Sequence, residues 1–357
     1  MSGAMFEKRR KTKQISVGNV PVGGGAPVSV QSMTNTDTRD VAATVHQIKA
    51  LEEAGCEIVR VAVPDKEAAG CLKEIKSQIS IPLVADIHFQ HKYALMAIEA
   101  GIDCLRINPG NIGSEEKVIE VVTAAKQNDV PIRIGVNSGS VKEDLLDKFG
   151  GPTPEALVES ALEHVGILEK LNFYDTKISI KSSSVMDTIK AYSLMSEKVD
   201  YPLHLGVTEA GTLLPGAIKS SLGIGILLAE GIGDTIRVSL TSDPILEIRA
   251  GFEILASLGL RKRPGVEIVS CPTCGRLQID LIALVERLEK RLATVKKPLK
   301  ISVLGCMVNG PGEAKEADIG IAGGNGKGII IRKGEIIRTC KEEELEEELM
   351  KEVEKFV

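Results

Sequence analysis

Eight short runs rich in β-branched residues recur between residues 27 and 240, each followed by a helix-length amphipathic stretch. The runs are PVSVQSM (27–33), EIVRVAV (57–63), PLVADIH (82–88), CLRINPG (104–110), PIRIGVN (131–137), KISIKSS (177–183), PLHLGVT (202–208) and TIRVSL (235–240). Between them, segments such as VAATVHQIKALEEAG and EALVESALEHVGILEKL space their apolar residues three and four apart, the helical period. Eight strand–helix units ending near residue 260 give the count of an α/β protein of the (β/α)8 TIM-barrel type. An open doubly wound sheet is the alternative, and eight units with no long interruption favour closure. A hairpin over QISVGNVPVGG is expected to plug the barrel floor, and the long connection from Ser138 to Thr153 to form a lid over the strand ends.

Side chains alternate along each run, and in a barrel the outward set must be apolar to meet the helices. Val59, Val61 and Val63 form one outward set, which turns Ile58, Arg60 and Ala62 inward. The same reading turns Cys104, Arg106 and Asn108 inward, then Arg133, Gly135 and Asn137, and Lys177, Ser179, Lys181 and Ser183. It also places Asp86, His88, His204, Thr208, Arg237 and Ser239 in the interior. Five strands thus each bring a cation to one interior, where an uncompensated ion costs at least several kcal/mol. Asp86, with Glu209 just past a strand end, cannot neutralise them all, so the better reading than a salt-bridge network is a polyanion site at the C-terminal mouth. A small diphosphate suits the charge count, and arginine suits phosphate because its planar fork binds in two places. Asp86, His88 and Glu209 are the candidate proton-transfer groups, with phosphate binding an equal role for His88 and His204. His46, His91 and His164 fall on helical stretches and are expected at the surface.

Net charge is −5 and only 3% of residues are aromatic with no Trp, which argues against a nucleic-acid surface. No run of eighteen apolar residues occurs, and the basic start leads into no apolar core of a signal peptide, so no membrane partner and a cytoplasmic location are expected. Seven cysteines then read as free thiols or metal ligands.

After the basic linker LRKRPGVE the strand–helix rhythm stops, dividing the chain into a substrate-binding barrel over 1–262 and a small α+β domain over 263–357. There, CPTC supplies Cys271 and Cys274 ahead of an amphipathic helix with Leu277, Leu281, Leu284, Val285, Leu288 and Leu292 on one face. The two thiols are expected at the N-terminus of that helix, whose positive end favours thiolate. Cys306 opens a glycine-rich loop, a hairpin turns at Lys333–Gly334, and a charged final helix is expected from Lys341. Three thiols suggest an iron–sulfur cluster, with a zinc knuckle as the rival; the domain contains no histidine to complete a zinc site. The fourth ligand is open among Cys340, Glu313 and an unoccupied position.

The motifs QSMTNTDT, LVADIHF, LRINPGNIG, HLGVTEAG, VSCPTCGR and LGCMVNGPGEA closely resemble those of the 4-hydroxy-3-methylbut-2-enyl diphosphate synthase family (IspG/GcpE), in its short bacterial two-domain form. The resemblance runs over essentially the whole chain. It implies an iron–sulfur oxidoreductase that opens 2-C-methyl-D-erythritol 2,4-cyclodiphosphate reductively and eliminates water, in the methylerythritol phosphate route to isoprenoids. It implies a [4Fe-4S] cluster on Cys271, Cys274, Cys306 and Glu313, whose unique iron binds substrate oxygen once Glu313 lets go. By the same resemblance Arg60, Arg106, Arg133, Lys181, His204 and Arg237 grip the diphosphate, Asn137 and Ser239 add hydrogen bonds, and Glu209 and Asp86 handle protons. Two electrons from ferredoxin or flavodoxin and a head-to-tail homodimer complete what it implies.

Overall fold

The computed structural model describes residues 9–293, 295–308, 312 and 314–356. The chain divides into two compact units, Met1–Arg261 and Lys262–Val357.

In the first unit the eight expected runs are the eight strands of one parallel sheet: β3 (Ser29–Met33), β4 (Ile58–Ala62), β5 (Leu83–Asp86), β6 (Cys104–Ile107), β7 (Ile132–Asn137), β8 (Thr176–Lys181), β9 (His204–Leu205) and β10 (Thr235–Ile236). Sequence neighbours pair from β3 to β8, β10 pairs with both β9 and β3, and a parallel bridge between Ile178 and Leu203 joins β8 to β9. The sheet therefore closes into a barrel. Helices α1 (Val41–Glu53), α2 (Lys66–Ser77), α3 (His91–Glu99), α4 (Glu115–Gln127), α5 (Glu143–Phe149), α6 (Pro154–Lys170), α7 (Val185–Lys198), α8 (Leu213–Ala229) and α9 (Pro244–Ser257) occupy the connections. The helix starts are written locally. Asp65 accepts from the Ala68 N–H to begin α2, and Thr153 accepts from that of Ala156, with Pro154 filling the first turn of α6.

Val59, Val61, Leu105, Ile107, Ile132 and Ile134 all belong to the core between sheet and helices, as alternation requires. Each such side chain contributes about 1.5–3 kcal/mol on burial, so a one-residue slip of any strand would forfeit several at once. The inward residues differ by height. At the floor, the hairpin β1 (Ile15–Val17) and β2 (Val20–Val22) packs Ile15, Val17 and Val22 against Ile58, Val84 and Cys104. That apolar hairpin closes the barrel floor. The connection after β7 holds a 3-10 turn at Ser138–Ser140 and the short helix α5.

The second unit is a five-stranded sheet in the order β11 (Val266–Ser270), β12 (Leu299–Leu304), β13 (Ile319–Gly324), β14 (Lys327–Arg332), β15 (Glu335–Lys341). The first three run parallel and the last two antiparallel. Helix α10 (Leu281–Leu292) crosses from β11 to β12 and buries Leu281, Leu284, Leu288 and Leu292, while Leu277 lies ahead of it. The turn at Lys333 and Gly334 takes φ of 49° and 83°, the left-handed pair that a two-residue hairpin needs. The final helix α11 begins at Leu345 rather than Lys341, because β15 runs through Lys341 in pairing with Lys327.

Candidate active site

Strand register puts the cations together. Arg60 pairs with Met33, Arg106 with both Asp86 and Arg133, and Asn137 with Lys181. Their side chains line one pocket of about 200 Å³ in the upper barrel with Asp86, His88, Asn137, Ser179, Thr208, Arg237 and Ser239. Glycine makes the room: a Cβ on Gly135 would stand 2.4 Å from Arg106 Nε, and one on Gly206 would stand 2.5 Å from Lys181 Nζ. At Gly135 a larger side chain fits only if the cation moves, and at Gly206 the Arg237 carbonyl, 2.7 Å from that Cβ, stands in the way as well.

Two buried carboxylates offset part of the charge. Asp86 accepts from Arg106 Nη1 at 3.0 Å and lies 3.6 Å from Arg60 Nε. Burial alone would raise its pKa, but Arg60 and then Arg106 outweigh that and hold the carboxyl well below the usual range. Glu247, on α9, lies 3.4 Å from Arg237 Nη2. Among the described residues no carboxylate reaches ion-pair distance of Arg133, Lys177 or Lys181. Arg133 donates to Ser179 Oγ at 2.9 Å while its Nε and Nη1 are buried without partners, as is Lys177 Nζ. Burial, followed by the charge of Arg106, brings the Arg133 guanidinium down to about 10. Burial and the charges of Arg133, Arg237 and Arg60 push the Lys181 ammonium well below the ordinary lysine value. Surplus positive charge with unfilled N–H groups is the condition an anion relieves.

The other expected site residues are distributed as follows. His88 is half-exposed, with Nε2 3.0 Å from Arg106 Nη1 and 3.4 Å from Asp86 Oδ1. Asn137 and Ser239 face the pocket. His204 is fully buried with neither ring nitrogen partnered; burial and the charges of Arg133, Lys181 and Lys177 keep it neutral, well below the usual histidine range. Glu209 is exposed just beyond Thr208 with φ of 51°, a left-handed conformation uncommon for glutamate and the sort of backbone strain that collects at functional loops. His164 corrects the expectation of a surface position. It is 1% exposed on α6, its Nδ1 accepts from the Gly110 N–H at 3.1 Å, and burial lowers it to about 4. Sequence reasoning passed over Glu247 altogether. The signal was present, since Glu247 stands in the buried stripe Pro244, Glu247, Ile248, Gly251, Leu255 of α9, where an unpaired acid would not survive.

In the second unit, β11 and β12 are neighbouring parallel strands with Ser270 opposite Val303, so the loops that follow them leave the same sheet edge. Cys271 opens the first loop and Cys306 lies in the second, and the Gly305 N–H donates to Cys271 Sγ at 3.3 Å. Cys274 is exposed, and hydrogen bonding by Arg276, backbone first and side chain second, lowers its thiol pKa. That lowering does not come from a helix end: α10 begins at Leu281, and Asp280 caps it by accepting from Ala283 N. Cys340 lies on β15, three strands from β12, or roughly 14 Å at the usual strand spacing. Among the described residues no three His, Cys, Asp or Glu side chains are grouped closely enough to hold a metal ion. Glu313 lies outside the described residues. Three soft thiols from two adjacent strand ends, with a backbone N–H already on one sulfur, fit an iron–sulfur group by donor chemistry.

Comparison with known proteins covers both units. The family described as "GcpE TIM-barrel domain" matches residues 12–252, and "GcpE protein C-terminal domain" matches 267–355. A protein of Maridesulfovibrio salexigens named 4-hydroxy-3-methylbut-2-en-1-yl diphosphate synthase (flavodoxin) is 63% identical over 350 residues, 98% of each chain. Proteins of the same name from Caldanaerobacter subterraneus subsp. tengcongensis and Clostridium perfringens are each 62% identical, covering 99% and 97% of this chain and 99% of their own. No helix among the described residues is long and apolar enough to cross a membrane.

Proposed function

The chain belongs to the GcpE family, and from that premise we propose that it is a flavodoxin-dependent 4-hydroxy-3-methylbut-2-en-1-yl diphosphate synthase. The substrate in this reading is 2-C-methyl-D-erythritol 2,4-cyclodiphosphate, and the reaction takes in two electrons, opens the ring and releases water. The observation that carries it is the pocket where Arg60, Arg106, Arg133, Lys181 and Arg237 meet with, among the described residues, only Asp86 and Glu247 against them. A diphosphate supplies the missing negative charge and the acceptors for the unpartnered N–H groups of Arg133.

In this reading Asn137 and Ser239 direct further hydrogen bonds at phosphate oxygens from the pocket wall. Asp86 orients Arg60 and Arg106 and stays ionised; a carboxylate held this far below its usual range is a weak proton acceptor, so proton handling in this reading rests on Glu209. Glu209, exposed just beyond Thr208, would give or take a proton at the leaving hydroxyl. His204 is not among the side chains that line the pocket; buried and neutral, it contributes bulk rather than charge. Cys271, Cys274, Cys306 and Glu313 would hold a [4Fe-4S] cluster, which when bound supplies the electrons one at a time. None of the seven cysteines is paired in a disulfide, which suits a reducing cytoplasm. Helix α9 returns the chain to the barrel floor, where Arg261 donates to the Val28 carbonyl at 2.7 Å, and a head-to-tail homodimer is the assembly this reading calls for.

The test is anaerobic purification, iron and sulfide analysis, and incubation with the cyclic diphosphate and reduced flavodoxin. Consumption of substrate with release of the linear allylic diphosphate is expected. A folded, colourless zinc protein would overturn the reading, as would a cluster-loaded protein that leaves the substrate intact. Light scattering tests the dimer.

A further inference from the structure

The cations at the barrel mouth are not all held in the same way. Arg60 and Arg106 share Asp86, which itself faces the pocket. Arg237 is held from outside the barrel by Glu247, 3% exposed on α9. The Glu247 carboxylate accepts three donors, one from β3 and two from the segment after β10. Its Oε2 takes the Ser32 hydroxyl of β3 at 2.8 Å. Its Oε1 takes the Leu240 N–H, beyond β10, at 3.0 Å and Arg237 Nη2 at 3.4 Å. One carboxylate therefore ties β3, the segment after β10 and the arginine to helix α9. Arg237 Nε remains buried with no partner, which leaves that edge of the guanidinium for an anion. Ser239 lies between the two anchored positions and faces the same pocket.

We propose that Glu247 is a positioning residue for the diphosphate: it fixes the Arg237 guanidinium and the 237–240 segment that carries Ser239, without itself touching substrate. The inference rests on the reading of the mouth as a diphosphate site. Two effects of the carboxylate oppose each other. Its negative charge weakens the field that an anion feels from every cation in the pocket. Its hydrogen bonds hold one arginine in a single orientation, so that less freedom is lost on binding. Glu247→Gln separates them, because the amide keeps the shape and an acceptor oxygen but gives up the charge that orients Arg237. If positioning dominates, the variant binds more weakly, and only through Arg237.

The experiment is titration calorimetry of inorganic pyrophosphate into the anaerobically purified full-length protein, with E247Q, R237M and the double variant. E247Q is expected to bind about tenfold more weakly, and the double variant no more weakly than R237M alone, since partners in one network are not additive. Unchanged or tighter binding by E247Q overturns the proposal, as do penalties that simply add. So does a fall in melting temperature with the pyrophosphate affinity intact, the signature of a purely structural role. Should E247Q fail to fold, Glu247→Asp keeps the charge but withdraws it by one methylene, and the same cycle applies. If wild type does not bind pyrophosphate, or R237M binds it as wild type does, the diphosphate reading falls and this inference with it. If R237M weakens binding and E247Q does not, only the role of Glu247 is lost.

Discussion

Asp86 Oδ1 accepts from Arg106 Nη1 at 3.0 Å while its other oxygen lies 3.6 Å from Arg60 Nε, so one buried carboxylate is shared by two buried guanidiniums. Removing that charge leaves both arginines uncompensated, a loss of order 3 kcal/mol for a broken buried pair. A diphosphate would restore the balance. Asp86→Asn is therefore expected to melt well below wild type when empty and to recover more than wild type does on adding pyrophosphate. Thermal melts with and without the anion check this, and equal anion-induced shifts in the two proteins would refute it.

Arg133 presents the opposite case. Its Nε and Nη1 are buried without partners and no carboxylate among the described residues stands within reach, so the empty protein gives up stability to keep it. Arg133→Met fills similar space without a charge and is expected to stabilise the unliganded protein by about 1–2 kcal/mol, since apolar replacement of buried ions is often favourable. The same change removes a diphosphate contact and should weaken pyrophosphate binding at least about tenfold. Melting temperature and calorimetry must move in opposite directions.

The barrel and most of its mouth could be read from period-two alternation, because Arg60, Arg106, Arg133 and Arg237 each interrupt a run whose outward neighbours are Val, Ile or Leu. Arg60 between Val59 and Val61 and Arg133 between Ile132 and Ile134 could only point inward. Three features escaped that logic for different reasons. Glu247 acts from the helix layer, reaching between strands to Arg237, and strand alternation carries no information about it. His164 also lies on a helix, and a 3.6-residue period alone does not tell a polar side chain at the stripe's edge from one inside it. The thiols of CPTC were drawn to a helix start by amphipathic periodicity beginning near Leu277, whereas Asp280 offers the better cap and sets the first turn at Leu281.

Sheet order separates the cysteines of the second unit into two classes. Cys271 and Cys306 follow adjacent strands, whereas Cys340 sits on the far-edge strand with its thiol raised by burial and then by Glu344 and Glu348. Cys271→Ser and Cys306→Ser are expected to lose bound iron and sulfide and the visible absorbance that accompanies them. Cys340→Ser should retain both. Metal analysis of anaerobically purified variants decides it, with circular dichroism confirming that each still folds. Iron lost from the Cys340 variant alone would reverse the assignment.

The imidazole of His164 accepts the Gly110 N–H through Nδ1, a bond that only the neutral ring can make, and it thereby anchors the loop after β6 just past Arg106 and Asn108. Burial, followed by the nearby Lys142 charge, lowers its pKa from 6.5 to about 4. The unfolded chain then binds a proton that the folded one refuses between those values. The stabilising effect is complete above about pH 6.5 and is lost as pH falls towards 4, with a total of order 3 kcal/mol. Below about pH 4 this group adds nothing further. His164→Asn places an amide oxygen near the position of Nδ1 and cannot titrate. Its stability at pH 7 should therefore stay close to wild type, and the part of the acid-induced decline between pH 6.5 and 4 that belongs to His164 should vanish. Denaturant melts at pH 7 and pH 5 measure the difference directly, and an identical decline in both proteins would show that the titrating group lies elsewhere.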